Sequence, residues 1–90
     1  MKTDHTKAFF RDLKKISNPT TKAEIEQVLL AVQNAQTKKD IPELKKLKGS
    51  KRGIFYRIKI GDYRIGITIN SDIVTFIIFM HRKDFYKFFP

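Results

Sequence analysis

The chain has 90 residues, 41% of them apolar, with no cysteine and with 19 Lys and Arg against 9 Asp and Glu. That length holds one domain, residues 1–90, with a modest core, and the composition excludes global disorder, a disulfide framework and an 18-residue transmembrane run. A net charge of +10 makes the chain a long-range attractor for polyanions: nucleic acid, an anionic surface or an acidic partner.

Residues 7–17, KAFFRDLKKIS, read as a helix. Thr6 is placed to cap it, Phe9, Leu13 and Ile16 recur at helical spacing, and Lys7, Arg11, Lys14 and Lys15 cover the remainder. Asn18-Pro19 breaks that helix. Thr21 and Glu24 have capping-box spacing for a second one, whose stripe is Ile25, Val28, Leu29 and Val32. Two amphipathic helices joined this closely predict a helical hairpin.

Residues 36–53 read as a polar connector with Ile41, Leu44 and Leu47 as anchors to the core. They concentrate charge in Lys38, Lys39, Lys45, Lys46, Lys48, Lys51 and Arg52. Such a run serves as a solvated face or, leading straight into the strands, as a surface for RNA.

From residue 54 the apolar period changes to two. Ile54, Tyr56, Ile58 and Ile60 alternate with Phe55, Arg57 and Lys59; Tyr63, Ile65, Ile67 and Ile69 alternate with Arg64, Gly66 and Thr68. Gly61-Asp62 is the predicted hairpin turn. It sets Ile60 against Tyr63, Lys59 against Arg64, Ile58 against Ile65, and Arg57 against Gly66. A second turn, with Ser71 and Asp72 at its tip, leads into IVTFIIFM, an apolar run suited to a strand covered on both faces. Unbroken pairing through that turn sets Arg64 against Phe79. RKDFYKFFP ends the chain as a short helix or extended tail.

Every Ile of the hairpin falls on one side, and the other side opposes Lys59 to Arg64. Like charges so placed destabilise a sheet by roughly 0.2–1 kcal/mol, and a local rule broken without local compensation marks a functional site. Three long cations also suit a merely exposed face. The sharper reading is an anion site, with Gly66 as an open floor and phosphate as the guest that guanidinium donors fit. His81 and Arg82 lie near one end of the same sheet, and Tyr86 follows within a helical turn.

LKKLKG, then FYRIKIGDYRIGI, then HRKDFYKFF, together resemble the RelE/ParE superfamily of bacterial type II toxins, and more narrowly the RelE-type mRNA interferases; the likeness spans about residues 7–90. It implies an α+β fold with two N-terminal helices packed on a small, mostly antiparallel twisted sheet. The family has a strand before the first helix. Here only MKTDH precedes it, which leaves that edge strand open.

The resemblance further implies a metal-independent, cofactor-free endoribonuclease that cuts mRNA in the ribosomal A site, the 2′-hydroxyl attacking the adjacent phosphate to leave a 2′,3′-cyclic end. Its basic positions fall on Arg57, Lys59, Arg64 and Arg82, and its tyrosine on Tyr86. Arg57, Arg64 and Arg82 are the expected phosphate clamp and Lys59 the candidate base, because Arg57 stands where some relatives have lysine and a guanidinium cannot serve as one. Tyr86 is expected to stack on a base or assist proton transfer, and His81, which exchanges protons near neutrality, is the candidate acid. Lys45, Lys46, Lys48, Lys51 and Arg52 are the expected RNA and ribosome contacts. The implied partners are the ribosome, mRNA and a cognate antitoxin, acidic or partly disordered, and no membrane; the implied location is the cytoplasm. The alternative is a ParE-like toxin of the same fold that inhibits DNA gyrase without nuclease chemistry, and a plain RNA-binding module is a third reading.

Overall fold

The computed structural model describes residues 1–48 and 54–90. Strand β1 (Lys2–His5), helices α1 (Lys7–Lys14) and α2 (Pro19–Asn34), strands β2 (Leu44–Lys46), β3 (Phe55–Ile60), β4 (Tyr63–Asn70) and β5 (Ile73–His81), and helix α3 (Arg82–Phe88) follow in order. The strands form one mixed sheet in the order β1-β5-β4-β3-β2, with β1 parallel to β5 and the other pairs antiparallel. This is the α+β architecture expected, with the edge strand present. β1 survives without a buried residue because it borrows the backbone of β5.

Helices α1 and α2 cover one face. Ile58, Ile65, Ile67, Val74 and Val32 are wholly sealed there, with Phe9 stacked on Phe76 at 5.2 Å. Each such side chain contributes on the order of 1.5–3 kcal/mol by leaving water. α3 lies on the opposite face. Phe85 and Phe89 are buried there, and Phe89 meets Phe55 edge-on at 5.6 Å.

Thr6 caps α1 as expected, its hydroxyl oxygen accepting from Phe9 N at 3.0 Å. α1 ends at Lys14, short of the predicted 17, and Ile16 reaches the core from beyond it. The cap of α2 is Asn18 rather than Thr21. Asn18 Oδ1 accepts from the Thr20 and Thr21 amides, and Pro19 occupies the first turn, where its missing N–H costs nothing. The connector is not simply a connector. Lys38–Asp40 form a 3-10 turn under a Thr37–Asp40 capping box, and Leu44–Lys46 add a fifth strand. Ile41 is buried and Leu44 partly so.

The β3–β4 register is the predicted one: Ile60–Tyr63, Lys59–Arg64, Ile58–Ile65 and Arg57–Gly66. The β4–β5 register differs by one residue at the functional end. Pairing runs without a break from Asn70–Ile73 to Ile67–Phe76, then resumes at Gly66–Ile78, so Arg64 opposes Met80 and not Phe79. The extra residue is Ile77, and a bulge explains the shift. Thr6 holds that spot twice: its N–H donates to the Phe76 carbonyl at 3.0 Å and its hydroxyl to the Ile77 carbonyl at 2.7 Å.

Thr6→Ala is expected to lower unfolding free energy by about 2 kcal/mol, from the lost cap and an orphaned carbonyl. Thr21→Ala should stay within about 0.5 kcal/mol of the parent, since Asn18 does the capping. Urea unfolding of the two variants checks both; equal losses would return the second cap to Thr21.

Candidate functional site

Alternation along β3 and β4 sends Arg57, Lys59, Arg64, Gly66 and Thr68 to the face away from α1 and α2. β2 contributes Lys45, which pairs with Arg57, whereas Lys46 pairs with Tyr56 and belongs to the other face. The expected RNA-binding lysines are therefore divided. Lys45 joins the cation row; Lys46 lines a hollow with Lys38, Lys39 and Tyr56. Lys48 is exposed beyond the end of β2. Lys51 and Arg52 lie outside the described residues.

The two arginines are fastened to backbone carbonyls. Arg57 Nη1 donates to the Glu43 carbonyl at 2.7 Å, and Lys59 N reaches the same oxygen at 3.3 Å. Glu43 presents that carbonyl from a left-handed backbone, φ 55°, which is strained for a residue with a Cβ. Arg64 Nη1 donates to the Gly61 and Tyr63 carbonyls, both at 2.9 Å. The Nε atoms of Arg57 and Arg64 are shielded from water and have no partner among the described residues. A carbonyl carries no net charge, so both guanidinium groups keep their formal positive charge. Lys59 is exposed between them.

Arg82, at the start of α3, is brought to the same end. Its N–H donates to the Asp62 carbonyl at 2.8 Å, and its Nε lies 3.7 Å from Asp62 Oδ1. Both groups of that ion pair are well exposed, so it orients more than it stabilises. Arg64 and Arg82 thus meet around one turn, Gly61-Asp62. Tyr86 follows Arg82 by four residues on the same side of α3. It is 56% exposed and packs edge-on against Phe85 at 5.0 Å.

Two expectations change. His81 is at the sheet end but opposes Tyr63, with the rings edge-to-face at 5.5 Å, so it belongs to the face of α1 and α2. Its Nδ1 accepts from Lys83 N at 3.1 Å and caps α3. One ring nitrogen is committed to structure, and the imidazole is not among the cations. Gly66 is not an open floor. A Cβ there would come within 2.8 Å of Ile78 Cγ2 and 2.9 Å of the Phe89 ring, so its missing side chain makes room for the chain's own tail.

Glu43 and Phe89 escaped the sequence reading, which places Asp62 in the turn without its contact to Arg82. A glycine inside a strand of a chain ending in an aromatic run was the available hint for Phe89. Among the described residues no group of three His, Asp or Glu is placed to hold a metal ion. Clefts of about 420 and 470 Å³ open between α2 and the Ile60-Gly61 turn and between β1, α1 and α2; Lys59 reaches the rim of the first, and neither contains the arginines.

The chain has relatives of known family and fold. Residues 4–86 match the family model described as ParE toxin of type II toxin-antitoxin system, parDE. The chain is 37% identical over 91 residues to Toxin RelE3 of Methanocaldococcus jannaschii, covering 100% of both. It superposes with a TM-score of 0.79 and 33% identity on a chain of the RelB-RelE antitoxin-toxin complex from Methanococcus jannaschii, covering 97% of this chain and 99% of that one. The isolated Escherichia coli RelE toxin shares the fold at a TM-score of 0.63 with 14% identity, covering 89% and 82%.

With a short single-stranded oligonucleotide as polyanion probe, Lys59→Ala and Lys45→Ala are each expected to reduce the slope of log affinity against log salt by about 0.7. Lys22→Ala, on the exposed side of α2, should leave it unchanged. Equal slopes for all three would remove the cation row as a binding surface.

Proposed function

The chain belongs to the RelE/ParE superfamily of type II toxin-antitoxin toxins, and from that premise we propose that it is a ribosome-dependent endoribonuclease that cleaves mRNA without a metal ion. The observation that carries the reading is the set of Arg57, Lys59 and Arg64 on one sheet face, with Arg82 tethered to the same end by Asp62. An extended, exposed cation row suits a polynucleotide backbone better than a closed pit would.

In the proposed reaction the 2′-oxygen forms a bond to phosphorus as the P–O5′ bond breaks, leaving a 2′,3′-cyclic phosphate and a free 5′-hydroxyl. The 2′-hydroxyl proton passes to a base, and the departing 5′-oxygen takes one from an acid. Arg57, Arg64 and Arg82 meet the extra negative charge of the phosphorane. Their donors are held by carbonyls and by Asp62 before substrate arrives, so little reorganisation is needed. Lys59 is the candidate base on this face. Tyr86, exposed beside Arg82, supplies a ring to stack on a base and a hydroxyl for the leaving oxygen. His81 serves this scheme indirectly by capping α3 and thereby placing Arg82.

A cognate antitoxin completes the proposal. RelB partners RelE in the solved complexes from Methanococcus jannaschii and Pyrococcus horikoshii, which supports an equivalent partner here. An acidic, partly disordered segment fits a surface of charge +10 and would mask the cation row. The cytoplasm, where translation occurs, is the proposed location. The name of the matching family model supports a second reading, a ParE-like inhibitor of DNA gyrase; a relative named RelE3, matched over its full length, and the cation row favour the nuclease.

Induced expression is expected to arrest translation with cuts in ribosome-bound messages. Arg64→Ala and Arg82→Ala should each reduce cleavage on the order of 10²-fold, as loss of a charge-stabilising donor does. Full toxicity in both variants would dismiss this site, and broken DNA with intact messages would select the gyrase reading.

A further inference from the structure

Phe85 and Phe89 are buried on the cation face, and the chemistry proposed above gives them no part. Phe89 is 5% exposed and follows the last residue of α3. Its ring lies over Gly66, packs edge-on against Phe55 at 5.6 Å, and lies 5.3 Å from Phe85 one helical turn earlier. Its N–H donates to the Phe85 carbonyl at 3.0 Å, so ring and helix move as one piece. Gly66 pairs with Arg57 on one side and Ile78 on the other. The ring therefore sits in the cation row itself, in the space any other residue at 66 would fill.

α3 has only seven residues, too few to persist in water unaided. It is held at its start by the Arg82 contacts to Asp62 and the His81 cap, both exposed, and further along by two buried rings, Phe85 within it and Phe89 at its end. The exposed polar contacts are individually weak, whereas a buried aromatic ring is not. Arg82 and Tyr86 depend on α3 for their position.

We infer that Phe89 is a positioning residue: keyed into the space left by Gly66, it clamps α3 across the cation face and keeps Arg82 and Tyr86 aligned with Arg57, Lys59 and Arg64. This rests on the ribonuclease reading for its catalytic consequence, but the clamp itself is a property of the fold. Gly66 is required because the ring occupies its Cβ position, and any side chain at 66 would lift the tail.

The test compares Phe89→Ala, Phe89→Leu, Gly66→Ala and the parent chain by amide hydrogen exchange across residues 82–89, by oligonucleotide affinity, and by single-turnover cleavage of ribosome-bound message. Phe89→Ala and Gly66→Ala should speed exchange in α3 by about tenfold or more while strands β3 to β5 stay protected. Cleavage should drop on the order of 10²-fold with affinity changed less than about twofold, since the cations of β3 and β4 remain in place. Phe89→Leu, which keeps an apolar plug, should recover most of the rate. Unchanged protection of α3 in Phe89→Ala would overturn the clamp; a loosened α3 with full cleavage would overturn its positioning role. If the parent chain cleaves nothing, the ribonuclease reading fails, and exchange in α3 still decides the clamp. If Phe89→Ala does not fold, Phe89→Leu and Gly66→Ala carry the same comparison.

Discussion

Everything in this molecule depends on the two-sidedness of the β3–β4 hairpin. A strand sends successive side chains to opposite faces, so one register satisfies Ile58, Ile65 and Ile67, each with no exposed surface, and places Arg57, Lys59 and Arg64 together on the reverse. A slip of one residue would drive three cations into the core beneath α1 and α2, where an unpaired charge is far costlier than any gain elsewhere. The hydrophobic core thus does more than stabilise: it forces like charges together. Repulsion between Lys59 and Arg64 is the local consequence of a favourable global arrangement.

The fold manages that repulsion without cancelling it. Arg57 is fastened to Glu43 on the β2 side and Arg64 to the hairpin turn, so the two guanidinium groups are anchored at separate points of one face. The anchors are carbonyl dipoles. Carboxylates would have quenched the positive field that an anion feels; dipoles fix geometry and leave the field in place. Asp62 is the exception, and it stands at the edge of the row, where it orients Arg82 through an exposed contact. Glu43 takes a left-handed backbone to present its carbonyl, and the unpartnered Nε atoms of both arginines add to the tension stored at this face.

How much could be read beforehand followed from which signals are local. The hairpin was legible because period-two alternation, a Gly-Asp turn and a like-charge opposition all sit within twelve residues. β2 was not, since Leu44–Lys46 is too short to display a period and its pairing with β3 is set by distance in space. β1 is wholly exposed and has no apolar pattern to reveal it. The one-residue error in β5 came from the bulge at Ile77, which Thr6 stabilises from 71 residues away. Asn18 displaced Thr21 as a cap because an amide side chain directly before proline outcompetes a hydroxyl three positions later. The fold class and the cations of the hairpin were thus within reach of the sequence. The side of the sheet that His81 takes, and the occupant of the space beside Gly66, required the tertiary packing.

The order β1-β5-β4-β3-β2 leaves β1 and β2 as the sheet's outer strands. Both are short, and both carry lysine, at Lys2 and at Lys45 and Lys46. Unpaired strand margins are where protein molecules template one another into fibrils, and brevity and ammonium groups are the ordinary defences. A chain whose middle strands are rich in isoleucine and phenylalanine would be an aggregation hazard if those strands lay outermost. Burying them behind two hydrophilic borders keeps the most adhesive part of the sequence away from its own copies.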